Sequence, residues 1–303
     1  MRGSPDVPHP IPYQGSKRSI APAILAHLPH DIDRFVEPFA GSAAMSLAVA
    51  YRCWATSFWL NDGHAPLATV WAEIIDHPDR ILRRYAELWN AQAGRERVYY
   101  DEVRDRFNKH HRPEHFLYLL ARCVKACIRY NAEGQFNNSP DNRRKGARPE
   151  EMSRRIRGAS MLLSGKTKVS TLDYKDVLAE CREGDIVYMD PPYQGVCLDR
   201  DNRYAPKFEH DEFCEVLAEL NRRNMRYLVS YDGRTGDKVF GKPLPPSLGL
   251  RHIEICAGRS TQATLLGRKA MTFESLYIAP SLADALNALP RPQASVQRHL
   301  TLG

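Results

Sequence analysis

No two cysteines of this 303-residue chain stand in a CxxC pair; the seven are scattered at 53, 123, 127, 181, 197, 214 and 256. That spacing excludes the common structural zinc sites, and no metal is expected. Cys123 and Cys127 lie four apart in a helical pattern, which predicts two core thiols in a reduced, cytoplasmic protein. No apolar run approaches the roughly 18–20 residues that span a bilayer, and the opening "MRGSPDVPHP" lacks the apolar segment of a secretory signal. Two nucleotide-binding signatures are also missing. No Gly-Lys-Ser/Thr completes a P-loop, and there is no GxGxxG. The chain contains no internal repeat.

Hydrophobic residues make up 43% of the chain, enough for a proper core. The formal net charge is +7, which permits a polyanionic partner. The distribution is more informative: from Arg129 to Arg157 there are eight Arg/Lys against four Asp/Glu, around "NNSPDNRRKGARP". Taken alone this is a solvated, turn-rich loop. Residues 17–28 repeat apolar positions at helical spacing, and residues 65–130 are dominated by the same period. Outside them, short apolar runs alternate with helical patterns: "DRFVEPF", "ATSFWLND", "DIVYMD", a helix over 210–223, "MRYLVSYD" and "ESLYIA". That alternation predicts an α/β core with a mostly parallel sheet, interrupted by a helical insertion of about a hundred residues.

Open α/β sheets bind ligands beyond the carboxyl ends of their strands, and the candidate sites fall there. "FVEPFAGSAA" (35–44) reads as strand, tight turn and helix start, with Gly41, Ser42 and Ala43 letting a bound group approach backbone N–H donors. Asp62 ends the next strand, placed to accept from ribose hydroxyls. Together they suggest an adenosine-containing cofactor. In "DPPY" (190–193) the prolines stiffen a turn after a buried strand. Asp190 and the Pro191 carbonyl then offer two adjacent acceptors suited to an NH2 donor, and Tyr193 a flat face for a planar ring.

"DPPY" after a hydrophobic strand resembles the catalytic motif of the amino-group DNA methyltransferases that use S-adenosylmethionine. "PYQGSKRSIAPAILAHLP" resembles the N-terminal motif of the Dam-type adenine methylases, "VEPFAGSAA" their cofactor turn, and "WLND" their second strand with its ribose-binding acid. "RYNAEGQFNNSP" resembles their DNA-contacting hairpin, and "LDYKDVL" the motif before the catalytic strand. The order is that of the α group. The turn departs from the family at Ala43, where relatives often carry a second glycine. "SYD" (230–232) stands where relatives often have Ser-Asn, and no role is assigned to it.

The resemblance implies a Rossmann-like methyltransferase sheet with helices on both faces and an inserted, mainly helical target-recognition domain. The catalytic domain would comprise 1–64 and 165–280, the insertion 65–164, and a C-terminal tail 281–303. It implies that Tyr13 and Lys17 hold the methionine end of S-adenosylmethionine, with Glu37, Pro38, Phe39, Ala40, Gly41 and Ser42 around it. Asp62 would take the ribose, Asp173 and Tyr174 would lie near the adenine, and Asp190 would border the cofactor. Asp190, Pro191, Pro192 and Tyr193 would grip a flipped adenine. Duplex DNA would meet Arg129, Asn131, Gln135, Asn137, Asn138, Arg143, Arg144, Lys145 and Arg259. Arg268 is a further phosphate candidate, and "QGVCLDRDNRYAPKFEH" a mobile flap using Tyr204 and Phe208. The implied function is N6 methylation of adenine in double-stranded DNA by a cytoplasmic monomer of bacterial or phage origin associated with the nucleoid, alone or alongside a restriction endonuclease. Methylation of cytosine N4, of an RNA base or of a protein glutamine, and a catalytically inactive DNA-binding module, remain as alternatives.

Overall fold

A computed structural model describes residues 7–192, 208–236, 238–259 and 271–288. The runs Phe35-Val36, Phe58-Trp59-Leu60 and Ile186-Val187-Tyr188-Met189 are buried, as strands covered on both faces must be. They form β1 (Ile32–Glu37), β2 (Ala55–Asn61) and β4 (Asp185–Met189). With β3 (Thr167–Ser170) and β5 (Arg226–Thr235) they make a parallel set. β7 (Arg251–Arg259) and β8 (Met271–Ile278) add an antiparallel edge, giving the order β3-β2-β1-β4-β5-β8-β7. β6 (Lys238–Phe240) pairs with the end of β5. At the amino ends of β1 and β4 the Arg34 guanidinium forks onto buried Asp185, at 3.0 and 2.6 Å.

Helices flank this sheet in the expected Rossmann-like manner. α2 (Ala44–Tyr51) links β1 to β2, α8 (Tyr174–Ala179) links β3 to β4, and α9 (His210–Arg222) precedes β5. α10 (Pro280–Ala288) follows β8. The helix expected over 17–28 is broken into a 3-10 turn (Lys17–Ser19) and a short α1 (Ala21–Leu25). Pro22 explains the break, because it lacks an N–H and starts a new helix. Ile20, Ile24, Leu25 and Leu28 are nevertheless all buried.

Between β2 and β3 run α3 (Ala65–Asp76), α4 (Pro78–Ala91), α5 (Glu96–His110), α6 (Pro113–Arg122) and α7 (Pro149–Leu163). Proline opens four of the five, preset for a first turn. Trp71, Tyr85, Phe116 and Ile156 from this region belong to the same apolar cluster as Phe35 and Val187 of the sheet. The helical region is therefore built onto the sheet through a shared core. A hairpin between α6 and α7 is bridged at Tyr130–Phe136 and Cys123–Pro140. Cys123 and Cys127 are both buried, as expected of core thiols. No helix among the described residues is long and apolar enough to cross a membrane.

Candidate active site

β1 and β4 are neighbours, yet the strand order runs from them toward opposite edges of the sheet. A crevice opens beyond their carboxyl ends, as at other topological switch points. A cavity of about 700 Å3 occupies it. Tyr13, Lys17, Glu37, Pro38, Phe39, Ala40, Gly41, Ser42, Asp62, Asp173, Tyr174 and Asp190 all line it, with Pro191 and Pro192. Tyr193 lies outside the described residues, as do Tyr204, Arg268 and the stretch that precedes Phe208. The side chain of Arg259 is likewise outside them.

The turn after β1 is shaped by what must pass close to it. Gly41 has a φ of +50°, and a Cβ there would lie 3.2 Å from the Tyr13 ring. Ala43 is also left-handed, at φ 47° and ψ 38°. Alanine costs about 1–2 kcal/mol in that conformation. The turn is fastened from three sides. Ala40 N–H donates to the Asn61 carbonyl at 2.8 Å, Gly41 N–H to Asp62 Oδ2 at 2.8 Å, and the Trp71 indole N–H to the Gly41 carbonyl at 2.9 Å. Ser42 bonds Ser16 at 2.7 Å, tying in the N-terminal motif.

Asp62 is thus partly a structural group. Its Oδ1 accepts from His64 N–H at 2.9 Å while Oδ2 serves Gly41, leaving a second lone pair on each oxygen. Burial pushes its pKa up to about 6 against those two bonds. Asn61 was not singled out from the sequence, yet it joins three strand ends. Its amide donates to the carbonyls of Pro38 (2.9 Å) and Leu172 (3.0 Å), and accepts from Ser170 Oγ and Leu172 N–H.

On the cavity wall Phe39 lies 5.1 Å from the Tyr174 ring, and Phe208 lies 6.1 and 5.9 Å from these two. The Tyr174 hydroxyl is buried with no hydrogen-bond partner among the described residues. A polar atom in that state suits a ligand that brings a partner. Asp173 caps α8 through the Lys175 N–H at 2.9 Å.

Asp190 follows the last residue of β4. Lys17, only 4% exposed, places Nζ 3.1 Å from Asp190 Oδ1 and 3.1 Å from Glu274 Oε2. It also reaches the Gly15 carbonyl at 3.4 Å. Lys17 is therefore held between the Asp190 and Glu274 carboxylates on the cavity wall. Burial alone would lower its pKa; Asp190 and Glu274 outweigh this and raise it. Glu37 is buried and accepts from Ser46 N–H at 3.0 Å. Burial lifts its pKa to about 8 against the Ser46 bonds, and Asp190 adds to the rise. Tyr188 bonds Ser230 at 2.7 Å, which gives the first residue of "SYD" a bracing role.

The hairpin reaches this site through its root. Ala126 and Ile128 line the cavity, and Gln14 N–H donates to the Ala126 carbonyl at 3.1 Å. His64 Nδ1 accepts from Leu67 N–H, which leaves Nε2–H to donate to the Tyr130 hydroxyl at 2.5 Å. Burial holds His64 neutral, its pKa lowered to about 4. Asn108 of α5 clamps Phe136 from both its N–H and its carbonyl.

Of the residues expected to meet DNA, Arg129, Gln135 and Asn137 are exposed on the hairpin, and Arg143, Arg144 and Lys145 on the loop after it. Asn131 spends Oδ1 on Gln135 N–H at 2.8 Å, closing the tip. Asn138 requires a correction. It is buried, with its amide on the Cys127 carbonyl at 2.6 Å, so it braces the hairpin instead of facing a duplex. Strand alternation carries the missed signal: Asn138 shares a side with Phe136, which is buried.

The sheet order, and a site at its switch point bordered by a Gly turn and an Asp-Pro-Pro turn, define a Rossmann-like methyltransferase. Residues 13–252 match the model of the D12 class N6 adenine-specific DNA methyltransferases. The chain belongs to that family. It is 29% identical to the retron Ec67 DNA adenine methylase of Escherichia coli, over 71% of this chain and 72% of that one. It is 26% identical to a DNA N-6-adenine-methyltransferase of Escherichia phage P1, over 73% of this chain. The DNA adenine methylase of Serratia marcescens is 27% identical over 60% of this chain and 66% of its own. The chain spans only 29% of the length of the phage P1 relative.

Proposed function

We propose that this chain is a site-specific DNA methyltransferase that methylates N6 of adenine in duplex DNA, with S-adenosylmethionine as methyl donor. The observation that carries the reading is the placement of Asp190 and Pro191. They sit at the end of a buried strand, on the rim of the cavity that the Gly41 turn borders. The residues present fit the cofactor. Glu37 and the Gly41 turn would hold its methionine end, Asp62 the ribose, and Phe39 with Tyr174 and Asp173 the adenine. Bound S-adenosylmethionine supplies an electrophilic methyl group.

The protein's own contribution is positioning and charge. An exocyclic amine is a weak nucleophile because its lone pair is delocalised into the ring. Hydrogen bonds from its two N–H groups to the Asp190 carboxylate and the Pro191 carbonyl favour a tetrahedral nitrogen and stabilise the positive charge that grows there. Alignment in the cavity supplies much of the rest, up to roughly 7–11 kcal/mol in favourable cases. An adenine inside the stack must be extruded to reach this rim, at a cost of a few kcal/mol. Tyr193 is proposed as the stacking face that offsets part of that cost, by about 1–3 kcal/mol.

Recognition is assigned to the hairpin, because its root lines the cavity and its outer face carries Arg129, Gln135 and Asn137. Arg suits guanine and Asn or Gln suit adenine in the major groove. Arg143, Arg144 and Lys145 are proposed to hold phosphates, which position without specifying. Action as a monomer in the cell interior, with or without a cognate endonuclease, completes the reading. Asp190→Ala tests it. The variant is expected to lose methyl transfer while titrating with S-adenosylmethionine in a calorimeter much as the wild type does. Loss of both would contradict the assignment of Asp190 to the base.

A further inference from the structure

Glu274 lies on β8, far in sequence from the catalytic turn, where it opens the strand run "ESLYIA" and had no site role assigned to it. Nevertheless it shares one buried ammonium with Asp190: Lys17 Nζ is 3.1 Å from a carboxylate oxygen of each. Resting on the adenine-methylation reading above, we propose that Glu274 is a positioning residue for methyl transfer. By sharing Lys17 it prevents that cation from closing into a neutral pair with Asp190.

Charge and geometry support this role. Lys17 lies at the same distance from both carboxylates, so its charge is divided between them rather than matched to Asp190 alone. With Glu274 neutral, the Lys17 ammonium is drawn more fully onto Asp190. It then competes directly with the base amine for the carboxylate. Burial strengthens that competition, since Lys17 is 4% exposed and has little water to turn to.

The fold delivers Glu274 to this place by a specific device. Pairing between β5 and β8 slips between Ser230 and Gly233, and Gly233 then stands opposite Glu274. Such irregularities re-aim side chains. A Cβ on Gly233 would fall 2.5 Å from the Phe273 carbonyl oxygen. Only glycine lets β8 lie this close, so the two strands cooperate in placing the carboxylate.

The test compares Glu274→Gln, which keeps the shape and loses the charge, with Glu274→Asp, which keeps the charge. Methyl transfer to unmethylated genomic DNA is measured with the melting temperature and the calorimetric affinity for S-adenosylmethionine. Glu274→Gln is expected to lower kcat by about 10- to 100-fold, with KM for DNA and cofactor affinity within roughly threefold of wild type. Glu274→Asp should recover most of the rate. Because Glu274 acts through Lys17, the double variant Lys17→Met/Glu274→Gln should be no slower than Lys17→Met alone. Should Lys17→Met fail to fold, the Gln-against-Asp comparison decides.

An unchanged kcat in Glu274→Gln, a loss confined to KM or melting temperature, or losses that multiply in the double variant would overturn the proposal. If the wild type methylates adenine and Glu274→Gln does so equally fast, only the positioning role falls. A wild type that transfers no methyl group to adenine overturns the underlying reading as well.

Discussion

Glu37 offers a prediction whose size and sign follow from its surroundings. It closes β1, is 2% exposed, and accepts a hydrogen bond from Ser46 N–H at 3.0 Å. Burial raises its pKa from an ordinary 4.5 to about 8. A carboxyl that binds its proton more tightly when folded stabilises the fold fully below its unfolded pKa. That contribution fades as pH rises and is gone above the folded value. The slope between the two is about 1.4 kcal/mol per pH unit. From pH of about 5.5 to about 8 the loss is therefore on the order of 3 kcal/mol. For a chain of this size that corresponds to roughly 6 °C in melting temperature. Glu37→Gln removes the titration and keeps an oxygen for Ser46. Melting curves of both proteins without cofactor, taken across that pH range, check the argument. The wild-type advantage over the variant should shrink by about that amount as pH rises. A difference that stays flat would refute the burial argument, and one that grows would mean Glu37 is ionised and paired.

Three further perturbations separate the parts of the molecule. Neutralising Arg143, Arg144 and Lys145 together should weaken DNA binding and make its salt dependence shallower, by up to about three charges' worth of counterion release; an unchanged slope would leave this loop as solvated surface. Trp71→Phe deletes the bond to the Gly41 carbonyl, worth about 1 kcal/mol. It should weaken cofactor binding several-fold, and a calorimetric affinity equal to wild type would show that the turn holds itself. Asn108→Ala releases both backbone bonds of Phe136 and should raise KM for DNA more than it lowers cofactor affinity, with the opposite split counting against the hairpin as the recognition element.

How much of this was legible beforehand depended on the distance over which each feature is encoded. β1, β2 and β4 were readable because strands buried on both faces give unbroken apolar runs. That Glu37, Gly41, Asp62, Asp173 and Asp190 line one cavity was readable because each sits at a strand end or in the turn that follows it, whereas Tyr13 and Lys17 precede β1 and reach the cavity only through the fold. Trp71 was not, since its indole occupies an ordinary core position of α3 and only the folded turn reveals its acceptor. Asn61 was hidden beside Asp62, where the acid drew the functional reading. Glu274 depends on a register slip between strands some forty residues apart, which no local pattern specifies. The break in the helix at Ile20, by contrast, was signalled by Pro22.

The central claim is that Asp190 and Pro191 present two acceptors to the amine of adenine in DNA. Tritiated methyl transfer from S-adenosylmethionine to unmethylated genomic DNA, followed by nucleoside identification, addresses it most directly, with Asp190→Ala alongside. The account predicts N6-methyladenine from the wild type and none from the variant. N4-methylcytosine as the product, or N6-methyladenine from both proteins, would contradict it.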